Sequence, residues 1–261
     1  MRVIILDSAK DVAQFAANTI IDTVNRKMRP TLGLATGSTP IEAYRAAIDA
    51  YKANRVSFAQ TVTFNLDEYI GIKEEHIQSY RYFMNQHFFS HIDIPLSNTF
   101  LPSAASLNEA QLHKNAHQYE EAIKKAGGID LQLLGIGENG HIGFNEPTSS
   151  LRSRTRIKSL SESTIEANKR FFKNGEYQPR LALTMGIETI LESRQLLLLA
   201  TGSKKANAVK DMVEGPLTAM CPASALQLHQ DATIVIDSEA ADKLVMKDYY
   251  LWCEQQRQDL E

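Results

Sequence analysis

Residues 131–147 read LQLLGIGENGHIGFNEP, and the reading of this stretch decides the fold. Leu131, Leu133 and Leu134 make an apolar run that predicts a buried strand. The run ends at Gly135, and glycines then recur at 137, 140 and 143. Among them stand Glu138, Asn139, His141 and Glu146: two carboxylates, an amide and an imidazole. A strand opening into a flexible loop dense in titratable groups is how open α/β sheets present chemistry, at the carboxyl ends of their strands.

Gly135-x-Gly137-x-x-Gly140 formally matches the dinucleotide fingerprint. That fingerprint needs its third glycine inside a continuing helix and an acidic residue about 20 positions further on. Here Gly143 and Pro147 interrupt any helix, and the later region carries Arg152, Arg154, Arg156 and Lys158 instead. Both departures argue against a nicotinamide site. A loop whose glycines merely permit positive φ is the plainer alternative. His141 lying five residues from Glu146 between apolar walls favours chemistry.

Working towards the N-terminus, Thr61–Leu66 alternates as a strand and runs into Asp67-Glu68-Tyr69. Adjacent carboxylates on a strand point to opposite sides, so one can face a crevice while the other makes structural contacts. Upstream, strand Thr31–Ala35 enters Thr36-Gly-Ser-Thr-Pro40 and then an amphipathic helix. Pro40 suits the first helical position and Thr39 the N-cap. Such a turn aims backbone N–H groups at a positive dipole end, a natural phosphate seat. Capping alone needs only Thr39, so Thr36, Gly37 and Ser38 point beyond it; no Gly-Lys-Ser/Thr follows, so it is not a P-loop. Val3–Leu6 predicts the first strand, and a helix follows to about Lys27.

Between these landmarks, a helix over Ser79–Phe89 rich in Tyr80, Tyr82, Phe83, Phe88 and Phe89 reads as core packing, and Leu107–Lys125 as a polar helix. Beyond Pro147 the chain is basic and hydroxyl-rich, with Ser149, Ser150, Arg152, Arg154, Arg156 and Lys158. Such a run is ordinarily a solvated surface, although arginine also suits bidentate phosphate contact. Ser161–Phe172 predicts a helix, and Lys173–Pro179 a polar turn able to act as a lid or hinge. Leu181–Met185 and Gln195–Thr201 predict strands, the second running into Gly202-Ser-Lys204-Lys205, where lysines can meet a phosphate. Thr233–Ile236 is the last strand and Glu239–Glu254 the closing helix. Strands alternating with helices imply an α/β fold with a mainly parallel sheet covered on both faces.

The chain has 261 residues, enough for a sizeable core and compatible with one domain. A net charge of −3 supplies no field pointing to nucleic acid or an anionic membrane. No apolar run approaches the roughly 20 residues of a membrane span, and the N-terminus turns polar at Asp7 rather than forming a signal peptide. Cys221 and Cys253 form no metal-ligand pattern, and a reducing, cytoplasmic setting is expected.

The sequence resembles the glucosamine-6-phosphate deaminases over nearly its whole length. The resemblance is carried by LGLATGSTP (32–40), VTFNLDEYIGI (62–72), GIGENGHIGFNEP (135–147), SRTRIKSL (153–160), ANKRFF (167–172) and TGSKKA (201–206). It implies a Rossmann-like α/β fold, one domain over residues 1–261 with a mobile lid at about 160–183, and no metal or organic cofactor. The implied reaction converts glucosamine 6-phosphate and water to fructose 6-phosphate and ammonia. Position by position, the isomerisation base falls on Asp67. The ring-opening histidine falls on His141, supported by Glu146 and by Asn139, a position that is aspartate in some members. The implied phosphate ligands are Gly37, Ser38, Thr39, Arg170 and Lys205.

Some members are hexamers activated by N-acetylglucosamine 6-phosphate at a subunit interface. The matching positions are Ser149, Ser150, Arg156 and Lys158, and a homo-oligomer is expected. The C-terminal tyrosine of the regulated members is not matched, since Leu251 falls there with Tyr249 and Tyr250 nearby. Three other readings stay open. A lactonase acting on a phosphorylated sugar would share the phosphate-plus-histidine logic, a sugar-phosphate sensor would bind without catalysis, and a bare nicotinamide-binding domain is the third.

Overall fold

Gln195–Ala200, QLLLLA, is apolar without alternation, and both of its faces are buried. Leu196 and Leu198 enter one hydrophobic cluster, Leu197 and Leu199 the other. A strand covered on two sides is the signature of a parallel sheet between helical layers. Each fully buried leucine of this kind stabilises the fold by about 1.5–3 kcal/mol.

The computed structural model describes residues 1–169 and 177–258. In chain order the elements are β1 (Arg2–Leu6), α1 (Ala9–Arg26), β2 (Thr31–Leu34), α2 (Ile41–Lys52), β3 (Val62–Asn65), β4 (Asp67–Tyr69), α3 (Tyr80–His87), β5 (Thr99–Phe100), α4 (Glu109–Lys125), β6 (Leu131–Gly135), β7 (Arg156–Ser159), α5 (Glu162–Lys169), β8 (Leu181–Thr184), α6 (Ile187–Leu191), β9 (Gln195–Ala200), α7 (Ala206–Val213), β10 (Ala232–Asp237) and α8 (Lys247–Gln258). Seven strands form one sheet in the order β1-β10-β9-β6-β2-β3-β5, and every pairing is parallel. Helices α1 and α2 pack on one face around Ile20, Tyr44 and Leu34, while α4 and α7 pack on the other around Tyr119, Val209 and Met212. The expected α/β architecture is therefore present, and among the described residues no helix is long and apolar enough to cross a membrane.

Sequence periodicity missed a second, antiparallel sheet of order β4-β8-β7. The predicted strand at Leu181–Met185 belongs here rather than to the main sheet, paired with Asp67–Tyr69 on one side and Arg156–Ser159 on the other. Leu66 joins the two sheets. Its N–H donates to Leu34 O in the main sheet, and its carbonyl accepts from Met185 N at the end of β8. The basic run at 154–158 is thus strand as well as surface. Buried Glu120 of α4 fastens its start, accepting from Thr155 N at 2.8 Å, from the Thr155 and Thr189 hydroxyls and from Arg154.

Two helix boundaries differ from expectation. Pro40, not Thr39, occupies the N-cap of α2, and no side chain caps that helix. The closing helix begins only at Lys247, because carboxylates take the amides before it: Ala240 N donates to Asp237, and Val245 N and Met246 N donate to Glu214. The segment expected to act as a lid lies partly outside the described residues, as does Arg170.

Candidate active site

The carboxyl ends of four neighbouring strands, β9, β6, β2 and β3, open into one crevice. A cavity of about 610 Å³ lies there, lined by Gly37, Ser38, Thr39, Asp67, Asn139, His141 and Lys205 together with Tyr80, Phe144 and Thr164. Residues expected from separate stretches of sequence thus meet in one place, the position that open α/β sheets reserve for ligands.

At the end of β2 the turn 36–40 is held from below by the Tyr44 hydroxyl, which donates to Ala35 O at 2.6 Å. Gly37 adopts φ +107, a conformation that excludes most side chains. The N–H groups of Gly37, Ser38 and Thr39 donate to no acceptor among the described residues. With no capping duty for Thr39, the turn presents open donors at the start of α2, which suits an anion. Lys205 faces the same cavity from the turn after β9, whereas Lys204 is exposed. Burial lowers the Lys205 pKa, and the charge of Glu138 works against that shift.

Asp67 is 5% exposed and starts β4, so it projects to the cavity while Glu68 projects away. Glu68 caps α3: Oε1 accepts from Tyr69 N and Tyr80 N at 2.9 Å, and Oε2 from Arg81 N at 3.0 Å. Burial pushes Glu68 up to about 7 against the pull of these backbone donors. Asp67 has no hydrogen-bond donor among the described residues. Burial, and then repulsion by Glu68, raises its pKa well above the ordinary carboxylate range. Gly143, at φ +56, leaves room beside it, since a Cβ there would stand 3.3 Å from Asp67 Oδ2.

His141 lies flat against Gly137, where an added Cβ would overlap the imidazole at 2.2 Å. Its Nδ1 is 2.6 Å from Asn139 Oδ1 and 3.5 Å from Glu146 Oε2. The Asn139 amide is oriented by its Nδ2, which donates to Glu146 Oε2 at 2.8 Å. Both neighbours of Nδ1 are therefore acceptors, which assigns a ring proton to Nδ1. Asn139 thus relays the Glu146 charge to the histidine rather than supplying its own. Glu146 Oε1 accepts from Thr164 Oγ1 at 2.6 Å and from Ser161 Oγ at 3.1 Å. Burial would raise the Glu146 pKa, but hydrogen bonds from His141 and Thr164 outweigh it and hold the carboxyl at about 2.

Tyr80 and Phe144, which periodicity assigned to packing or to the loop, form an aromatic wall with Tyr69, the Tyr80 and Phe144 rings stacking at 6.0 Å. Nothing in the sequence distinguished Tyr80 from the buried aromatics Phe88 and Phe89. Ser149, Ser150, Arg156 and Lys158 do not line the cavity. Arg156 instead donates from Nη1 to Asn145 Oδ1 at 2.9 Å, inside the loop after β6, and buried Ser149 Oγ has no partner among the described residues.

The family model for glucosamine-6-phosphate isomerases and 6-phosphogluconolactonases matches residues 7–235. The chain belongs to this family. Over 260 residues it is 64% identical to a glucosamine-6-phosphate deaminase of Marinomonas sp. (strain MWYL1), covering 100% of this chain and 98% of that one. The solved structure of a monomeric glucosamine-6-phosphate deaminase superposes with a TM-score of 0.89 at 44% identity, over 93% of this chain and 100% of the other. A 6-phosphogluconolactonase from Trypanosoma cruzi superposes at 0.73 with 20% identity, over 94% and 97%, which shows a shared fold.

Proposed function

We propose that the protein is an enzyme that converts glucosamine 6-phosphate and water to fructose 6-phosphate and ammonia. The observation that carries this reading is the presence of two separate proton-transfer groups, Asp67 and His141, in the cavity that also holds the open turn at 37–39. Ester hydrolysis of a lactone has no need of a second base. A deaminating isomerisation does, because the pyranose must open before C2 can be deprotonated.

In this reading His141 moves the anomeric hydroxyl proton to the ring oxygen, its orientation fixed by Asn139 and its charge balanced by Glu146. Asp67 then takes the C2 proton of the open chain and returns it to C1 through an enolamine. The resulting C2 iminium takes up water and releases ammonia, so the net reaction is hydrolytic at a C–N bond. Each placed proton transfer contributes roughly 10²–10⁴-fold. The phosphate, held by the Gly37–Thr39 turn and Lys205, supplies binding energy that orients the sugar. The raised Asp67 pKa fits the same chemistry: a carboxylate without donors is a stronger base than a solvated one. The deciding assay measures ammonia and fructose 6-phosphate together from glucosamine 6-phosphate. Acid release from a phosphorylated sugar lactone without ammonia would overturn the reading.

A regulatory anion site at Ser149, Ser150, Arg156 and Lys158 is a second proposal. Three observations support it: Arg156 and Lys158 share one side of β7, neither has a carboxylate partner among the described residues, and Arg156 touches Asn145 in the catalytic loop. Their neighbours are occupied differently, Arg154 by Glu120 and Glu192, and Arg152 by Glu188. Adding N-acetylglucosamine 6-phosphate should lower the apparent KM in the parent protein and leave Arg156→Ala unmoved. Substrate curves indifferent to this ligand would make the cluster a surface feature only.

A further inference from the structure

The two strand-to-helix turns that face the cavity differ in what their amides do. Those of Gly37, Ser38 and Thr39 are open, whereas those of Gly202 and Ser203 are taken. Gly202 N donates to both carboxylate oxygens of Asp237 at 3.0 Å, and Ser203 N donates to Glu239 Oε2 at 3.3 Å. Asp237 ends β10, the neighbour of β9, and is 6% exposed. Its Oδ1 also accepts from Ala240 N at 2.8 Å, so the carboxylate is fixed on its own strand before it reaches across.

An acidic side chain therefore occupies the donors that a phosphate would otherwise use at this turn. The group of this turn that lines the cavity is Lys205, three residues beyond Gly202. Lys205 N returns to Gly202 O at 3.0 Å and closes a single turn, so a displacement of Gly202 is passed to Lys205 within one hydrogen-bonded ring. Gly202 itself stands at φ +84 and ψ 153, in a region where glycine has no steric wall to hold it. The conformation is held by the Asp237 bonds.

We propose that Asp237 is a positioning residue for substrate recognition, holding the Gly202 turn so that Lys205 reaches the phosphate of the sugar. The proposal rests on the assignment of Lys205 to that phosphate. It divides labour between the turns: one gives backbone donors, the other gives an aimed ammonium while its Gly202 and Ser203 amides are committed to carboxylates. A phosphate dianion is thereby directed to the Gly37–Thr39 side of the cavity, away from the Asp237 and Glu239 carboxylates.

The test is a double-mutant cycle of Asp237→Asn with Lys205→Ala, reading kcat and KM for glucosamine 6-phosphate and the inhibition constant of inorganic phosphate. Asp237→Asn should raise KM and the phosphate inhibition constant about three- to tenfold, the scale of one lost hydrogen bond, with kcat within about twofold. In the Lys205→Ala background it should add nothing to either constant. Equal, additive losses in both backgrounds, or a fall in kcat with KM unmoved, would overturn the proposal and make Asp237 a purely structural residue. If Lys205→Ala alone moves neither constant, the phosphate assignment fails, and the proposal fails with it. If Asp237→Asn does not fold, the same cycle is run with Glu239→Gln, an exposed side chain on the neighbouring amide. There a smaller rise confined to the Lys205 background supports the proposal, and an additive or absent rise overturns it.

Discussion

Asp67 and Glu146 are buried to the same extent, each 5% exposed, in the same small region, yet their acidities move in opposite directions. Asp67, at the start of a short strand, is deeply buried beside acidic Glu68 and has no hydrogen-bond donor among the described residues. Glu146, on the loop after β6, receives donors from Thr164, Ser161, Asn139 and the imidazole. Low exposure alone therefore does not assign the roles. The supply of donors separates a carboxylate able to accept a proton from one kept as a fixed anion.

Replacing Asp67 by Asn should break the strand side of this contrast with the largest effect. Exchange of the C2 proton with solvent deuterium and release of ammonia should each fall by about 10²–10⁴-fold, while ring opening survives. Exchange at the parental rate would remove Asp67 as the base. Glu68 could not simply replace it, since its oxygens are committed to the amides of Tyr69, Tyr80 and Arg81. In the parent protein kcat/KM should rise with pH as Asp67 ionises, with a midpoint above the ordinary carboxylate range. Glu146, at about 2, contributes no limb above pH 4.

Glu146→Gln tests the loop side. It keeps the size but removes the anion behind His141, and should slow turnover of the cyclic sugar by about 10–100-fold. Proton transfer between C1 and C2 starting from fructose 6-phosphate and ammonia should suffer less, because part of that ketose is already open. Equal losses in both directions would show that Glu146 supports more than ring opening.

The smallest effect is on stability. A carboxyl whose folded pKa is raised binds more protons in the native state than in the unfolded one, so its contribution falls as pH rises from the unfolded value through the folded one. Asp67→Asn should therefore be more stable than the parent at neutral pH while losing activity, and that gain should vanish as pH falls into the ordinary carboxylate range. A melting temperature that is unchanged or lower at pH 7 would mean that the native protein stabilises the ionised form by contacts outside this account.

The main sheet was legible because its strands are continuous apolar runs separated by helical periodicity, as in β9 and β6. The second sheet was not, because β4 has three residues and β7 alternates Arg156, Ile157 and Lys158 in a run that reads as a solvated face. The acid–base residues could be located from loop chemistry and resemblance. The imidazole's dependence on a bare Cα at Gly137, and the service of Asp237 to a turn 35 residues earlier, are contacts between strand ends. Such contacts follow from strand order, which no local pattern encodes. Thr39 departs from its expected capping role for the opposite reason: a preferred residue stands in place, but the chain begins its helix one residue later.

Leu66 is one residue long as a bridge between two sheets, and this has a bearing on how the gene can change. Side chains alternate along a strand, so inserting or deleting a single residue beside Leu66 would turn β4 over. Glu68 would then point into the cavity, and Asp67 towards the amides that begin α3. Both residues would still be acidic, and composition would hardly register the event, yet the proton acceptor and the helix cap would have traded places. Length variation, harmless in most surface connections, is here equivalent to a double active-site substitution.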